Sequence, residues 1–135
     1  MTLVELQEYV KYKTLRRSDA IELPMFASLT YAAMIRVCMK TMPLALLCSG
    51  EANVLRYDKK AAIRRPEYPK DETKELDIDN ELCFAVAALV ACDVVAPEAR
   101  NWFKNEAEEI ILDYDRNVSV MALERQNGQH TVCRR

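Results

Sequence analysis

The apolar residues of this chain recur at helical spacing from its first residues onward. Steps of three and four residues separate the members of the first apolar series, which is Leu3, Leu6 and Val10. Thr2 and Glu5 stand at the spacing of a capping box, in which the side chain at the helix start and the one three residues later satisfy free backbone donors. The pattern therefore predicts a helix over residues 3–13.

A second helix is predicted to follow a short polar connection. Pro24 suits the first turn of a helix, where a backbone N–H is not needed. The apolar pattern then continues to about residue 42. Pro43 is expected to kink or end this helix, because proline removes one hydrogen bond and crowds the preceding turn.

The pattern changes after residue 50. Two short runs that mix apolar and basic residues, 54–57 and 62–65, flank the polar residues 58–60. This arrangement predicts two strands joined by a tight turn, a β-hairpin at about 54–65. Pro66 and Pro69 disfavour both helix and central strand, so an extended linker is expected next.

Two further helices are predicted in the second half of the chain. Residues 82–95 are apolar around almost the whole helical circumference, which is typical of a buried central helix, and Asp79 or Asn80 is expected to cap it. Pro97 marks the start of the fourth helix, which is amphipathic as far as Tyr114. Its apolar positions, expected in the core, are Ala99, Trp102, Phe103, Ala107, Ile110, Ile111 and Tyr114.

The helical pattern stops after Asn117, and the residues that follow become polar. The sequence therefore predicts a mainly α fold: a compact bundle of about four helices with a small β-hairpin and an extended C-terminal arm. The helical domain is expected to cover residues 1–116 and the arm residues 117–135. A chain of 135 residues is long enough for one domain with a substantial core.

Composition excludes several classes of site. With two Gly that stand far apart, the chain has no glycine-rich phosphate loop, and with one His it has no multi-histidine metal centre. No catalytic residue, cofactor site or metal site is predicted, and an enzyme is not expected. The five cysteines form no CxxC pair, and their odd number and their places in apolar runs favour reduced thiols. Neither a signal peptide nor a membrane span is expected.

The net charge of −2 hides two segments of opposite sign. The hairpin region carries five basic residues and one acid, a balance of +4, and its basic residues are Arg56, Lys59, Lys60, Arg64 and Arg65. Residues 71–81 carry six acids and one lysine, a balance of −5. Asp77 and Asp79 belong to this acidic linker, and helix capping and solvation account for them better than acid–base chemistry does.

The basic segment has three interpretations. It is a solvated edge charged against unwanted strand pairing, a contact for another protein, or a contact for DNA on which Tyr57 stacks. Paired with the acidic linker of a neighbouring copy, the segment would make a contact between two different surfaces, and such a contact makes a ring where its rotation closes.

The order of these elements resembles that of the head-to-tail connector, or adaptor, proteins of tailed bacteriophages. The resemblance spans about residues 1–116, and its most suggestive part is the acidic entry from Leu76 to Leu82, the small-residue helix to Ala96 and the helix from Trp102 to Tyr114. It implies a helical bundle with a projecting hairpin and an arm. It also implies a virion protein assembled in the host cytoplasm.

In that family, copies of the protein form a ring, commonly of twelve subunits, below the portal protein. The ring extends the DNA channel and presents a surface to tail proteins. The resemblance implies that Arg56, Lys59, Lys60, Arg64, Arg65, Asp77 and Asp79 contact a neighbouring subunit or the DNA. It implies that the arm contacts the portal through Val118, Val120, Met121, Leu123, Arg134 and Arg135. The alternative is a small helical nucleic-acid-binding or regulatory module that uses the same basic hairpin.

Overall fold

The computed structural model describes residues 1–15, 19–40 and 66–116 with their side chains, and the backbone alone of residues 41, 56–57, 63–64 and 117–129. This part of the chain is mainly helical. Its helices are α1 (Leu3–Lys13), α2 (Leu23–Thr41), α3 (Asn80–Val94) and α4 (Pro97–Gln129). The prediction of a mainly α bundle of about four helices is confirmed.

Two short strands lie between α2 and α3. β1 (Arg56–Tyr57) and β2 (Ile63–Arg64) pair antiparallel, with Arg56 opposite Arg64 and Tyr57 opposite Ile63. β1 contacts α2. The connecting residues 58–62 lie outside the described residues, so the hairpin predicted at about 54–65 is not confirmed and stays a prediction.

The start of α1 has the predicted capping interaction. The Glu5 amide donates to Thr2 Oγ1 at 3.2 Å, and Thr2 Oγ1 donates to Glu5 Oε1 at 3.2 Å. A further free donor of the first turn, the Val4 amide, reaches the carbonyl of Glu72 at 3.3 Å. The capped helix buries the predicted apolar series, Leu3, Leu6 and Val10.

Helix α3 is the centre of the core. Most of its side chains are buried, and it contacts α1, α2 and α4. It begins at Asn80, two residues before the predicted start, with Asp79 at the N-cap position. The Asp79 side chain makes no capping hydrogen bond, because its carboxylate accepts instead from the Tyr114 hydroxyl of α4.

No helix in the described part of the chain has the length and apolarity of a membrane span.

Helix α4 differs from the prediction at two points. Phe103, Ala107 and Tyr114 are buried against the core, but Trp102 is 63% exposed, so its predicted place in the core is wrong. A residue one position before Phe103 is turned by about 100° around the helix and leaves the buried stripe. The helix also does not end near Tyr114, because its backbone continues to Gln129.

The linker between β2 and α3 is bound to the start of α1. Residues 66–71 have neither helix nor strand, as the prolines predict. Further on, the Leu76 amide donates to the Met1 carbonyl at 2.9 Å, and Thr2 and Glu75 form an antiparallel bridge. Leu76 and Ile78 are buried in the main core. The linker therefore closes one side of the bundle.

Two leucine-to-alanine substitutions on facing helices test this assignment of the core. Leu89 of α3 is 1% exposed and Leu112 of α4 is 59% exposed. We expect Leu89→Ala to lower the free energy of unfolding by about 2–5 kcal/mol, because it leaves a cavity. Leu112→Ala is expected to change it by less than about 0.5 kcal/mol. Urea denaturation followed by circular dichroism measures both, and equal losses would contradict the assignment.

Candidate functional site

The acidic linker uses carboxylates to hold the fold together. Asp77 Oδ2 accepts from the Glu67 amide at 2.8 Å, and the Asp79 carboxylate accepts from the Tyr114 hydroxyl. Glu75 forms an ion pair with the N-terminal ammonium group, which also donates to the Asn80 side-chain oxygen at 3.0 Å. Asp77 and Asp79, two of the predicted contact residues, thus make contacts within their own chain.

Two pKa shifts reflect these contacts. Burial lowers the pKa of the Met1 ammonium, but the hydrogen bond to Glu75 and the nearby ionisable side chains together outweigh it, so the pKa is raised overall. The pKa of Asp71 is lowered, because the carboxylate accepts from the Thr73 amide at 2.9 Å and the Thr73 hydroxyl at 2.7 Å. Both shifts favour the charged forms that hold the linker in place.

The predicted basic contact residues are only partly described. Arg56 and Arg64 lie directly opposite each other on β1 and β2. Lys59, Lys60 and Arg65 lie outside the described residues. The structure therefore brings together one pair of the five basic residues at the level of the backbone.

The predicted portal-contact residues lie on or after the last part of α4. Val118, Val120, Met121 and Leu123 belong to its helical backbone, so this part of the predicted arm is helical. Arg134 and Arg135 lie outside the described residues.

Lys13 connects the end of α1 with the first turns of α4. Its ammonium group forms an ion pair with Glu106 and lies 5.4 Å from the centre of the Tyr9 ring and 5.5 Å from that of Trp102. A cation between a carboxylate and aromatic faces is attracted to both. The side chains of Lys13 and Glu106 are only 13% and 27% exposed, which strengthens the attraction between the two charges.

Aromatic side chains also connect α2 with the linker that follows β2. The Tyr31 and Tyr68 ring centres are 5.1 Å apart, and the Tyr31 hydroxyl donates to the Pro66 carbonyl at 3.1 Å. Ser28 Oγ lies 2.9 Å from the Tyr68 hydroxyl. Beside these side chains is an open groove of about 510 Å³, whose lining includes Leu23, Pro24 and Lys70.

The outer face of α4 is the surface that sequence reasoning missed. Trp102 and Leu112 are 63% and 59% exposed, and exposed polar side chains lie beside them. We define the α4 outer face as Trp102, Asn105, Glu108, Glu109, Leu112 and Asp113. The sequence spacing could have predicted this face. Phe103, Ala107, Ile111 and Tyr114 line one side of the helix, and this leaves Trp102 and Leu112 on the opposite side.

The described cysteines are free thiols. Cys38 and Cys83 are buried, and the partly buried Cys92 thiol donates to the Arg100 carbonyl at 3.1 Å. Burial and the nearby Asp93 raise the pKa of Cys92, which lowers its reactivity as a nucleophile. Among the described residues, no group of three or more His, Cys, Asp or Glu side chains is placed to hold a metal ion.

Asp115 is an unusual carboxylate at the position after Tyr114. Its Oδ1 atom is buried and accepts no hydrogen bond within the described part of the chain. Burial raises its pKa, because the charged form loses solvation that no partner replaces. The residue lies at the level where α4 passes the beginning of α3, since the neighbouring Tyr114 contacts Asp79.

Comparison with known proteins adds no family assignment. No family model, no curated protein and no solved structure matches this chain.

The raised pKa of Asp115 predicts a pH dependence of stability. The folded state holds this proton more tightly than the unfolded state, so the contribution of Asp115 is most favourable below the ordinary aspartate pKa of about 3.9. It is lost as the pH rises through the raised pKa. Asp115→Asn should therefore increase the free energy of unfolding near pH 7 and change it less at about pH 4.

Urea denaturation at both pH values measures this effect. Asp113→Asn is the matched control, because Asp113 is exposed and lies 4.0 Å from Arg116. The control should not stabilise the protein at either pH. An Asp115→Asn variant that is no more stable than the parent near pH 7 would contradict the interpretation.

Proposed function

We propose that this chain is a structural subunit of a head-to-tail connector of a tailed bacteriophage. Its copies would form a ring below the portal protein, extend the DNA channel and present a surface to tail proteins. The chain would assemble in the host cytoplasm and reside in the neck of the virion. The proposal starts from the order of elements in the sequence, and contacts of the folded chain support it.

The observation that carries the proposal is the length of α4. This helix has 33 residues, whereas its packing partner α3 has 15. At about 1.5 Å per residue, the two are about 50 Å and 22 Å long. Because Tyr114 contacts Asp79 at the start of α3, the residues after Tyr114 continue beyond that end of α3. A helix that is longer than the helix it packs against is suited to contact another chain with its remaining residues.

The two strands add support from charge. Arg56 and Arg64 are cross-strand neighbours. Like charges directly opposite each other destabilise a strand pair, unless an anionic group offsets the repulsion. The predicted hairpin would therefore gain from an acidic partner, which a ring subunit or the phosphates of channel DNA would supply.

The same pair of arginines favours a second candidate function, a small helical module that binds nucleic acid. This candidate predicts DNA binding that weakens steeply with salt, because phosphate contacts release counterions. Changing Lys59 and Lys60 to Glu should then lower the slope of log K against log salt by about 2, at about 0.9 per lost contact. Fluorescence titration of a DNA duplex at several salt concentrations measures the slope, and an unchanged slope would remove this candidate.

The connector proposal is tested by deleting residues 118–135. We expect the full-length chain to form rings on purified portal protein, as seen by negative-stain electron microscopy and mass photometry. The truncated chain should lose portal binding. Its helical circular-dichroism signal should fall only by the contribution of residues 118–129, because every core residue among the described side chains precedes the deletion.

A control and two opposing outcomes complete this test. The thermal unfolding of the truncated chain should stay cooperative, which shows that the core is intact. A full-length chain that stays monomeric with and without portal protein would overturn the proposal. Normal portal binding by the truncated chain would show that the C-terminal residues are not the portal contact.

A further inference from the structure

The α4 outer face carries two large apolar side chains in solvent among acidic ones. Trp102, Asn105, Glu109 and Leu112 follow at steps of three and four residues, so they lie in one stripe along the helix. Trp102 and Leu112 are both more than half exposed. A helix whose second face carries large apolar side chains is typical of one that packs against a partner, and Trp is among the residues enriched at protein interfaces.

The charge of this face restricts the kind of partner. Its ionisable members are three acids, Glu108, Glu109 and Asp113, and all three are exposed. Arg116 lies one turn further on, 4.0 Å from Asp113. Since Asp113 already faces Arg116 and the Lys13 ammonium lies beside Trp102, the negative charge available to a partner comes from Glu108 and Glu109. These two acids favour a partner that offers basic groups together with apolar ones.

The basic segment of this chain has that chemistry. Residues 54–65 combine a charge balance of +4 with the apolar residues Leu55, Tyr57 and Ile63. Within one chain, β1 contacts α2, and the α4 outer face remains exposed. A second copy can therefore place its basic segment on this face.

The acidic linker is a weaker candidate for the same partner. Asp77, Asp79 and Glu75 accept hydrogen bonds or an ion pair from the Glu67 amide, the Tyr114 hydroxyl and the N-terminal ammonium. A contact with another chain would have to compete with these bonds. On the α4 outer face, by contrast, the carboxylates lie beside exposed apolar side chains that gain from being covered.

We infer that the α4 outer face binds residues 54–65 of a second copy of this chain. The inference rests on the proposed ring-forming function and names the contact that joins neighbouring subunits. The two surfaces are different, so each copy offers one surface to the copy before it and the other to the copy after it. A contact of this kind repeats from chain to chain and closes into a ring if the rotation allows.

Mixing two defective variants tests the inference. The face variant carries Leu112→Ala and Glu109→Lys. These substitutions change α4 but leave Glu106 and Trp102, the residues of α4 that contact Lys13, unchanged. The segment variant carries Lys59→Ala and Lys60→Ala, which remove its positive charge without making the segment complementary to the changed face. Each is expected to need at least about tenfold more protein than the parent to assemble, with portal protein present if the parent requires it. Sedimentation velocity measures assembly.

A one-to-one mixture of the two variants should form dimers that do not grow. In such a mixture the intact face of one variant meets the intact segment of the other, and one good contact forms in each pair. The matched control is Met25→Ala with Glu22→Lys, because both residues are exposed on or beside α2 and the changes have the same chemistry. The control should assemble like the parent, and all variants should keep the thermal unfolding of the parent.

Several results would overturn the inference. If the face variant assembles at the same concentrations as the parent, the α4 outer face is not the contact between subunits. The proposed connector function would still stand. Assembly of the segment variant alone would mean that α4 binds α4, or that residues 54–65 contact DNA. A mixture without dimers would exclude the pairing of these two surfaces. A parent chain that never assembles, even with portal protein, would overturn the proposed function itself.

Discussion

The fold depends on one constraint: α3 has almost no polar face. Most of its side chains from Leu82 to Ala91 are buried, and small residues predominate among them. A helix of this kind is stable in water only when other elements cover it on nearly every side. The three other helices provide that cover, and the alanines let them approach closely.

The elements packed around α3 include the acidic linker, which is held in place by contacts within its own chain. The acidic linker is bound to α1 by backbone hydrogen bonds and by the ion pair between Glu75 and the N-terminal ammonium. Its carboxylates accept donors from the same chain, among them the Tyr114 hydroxyl and the Glu67 amide. One of the two charged segments of the sequence, the acidic linker, therefore has a structural role within its own chain.

Helix α4 has one face in the core and another that is exposed. Phe103, Ala107 and Tyr114 close the core on one side, whereas Trp102 and Leu112 stay exposed on the other. Substitution of Leu112 is therefore expected to cost little stability, whereas Trp102 also contacts Lys13 and Phe103 of its own chain. The continuation of α4 past the start of α3 extends the same helix into the region where the sequence predicted an arm.

The sequence by itself determined the helical class, the start of α1 at Thr2, the central position of α3 and the buried stripe of α4. These features follow from local spacing, capping and apolar periodicity, which need no knowledge of distant contacts. Only the tertiary structure decided that Trp102 leaves the core, that Asp79 meets Tyr114 rather than capping α3, and that α4 continues to Gln129. A side chain's partner depends on which helix packs beside it, and that packing joins residues far apart in the chain.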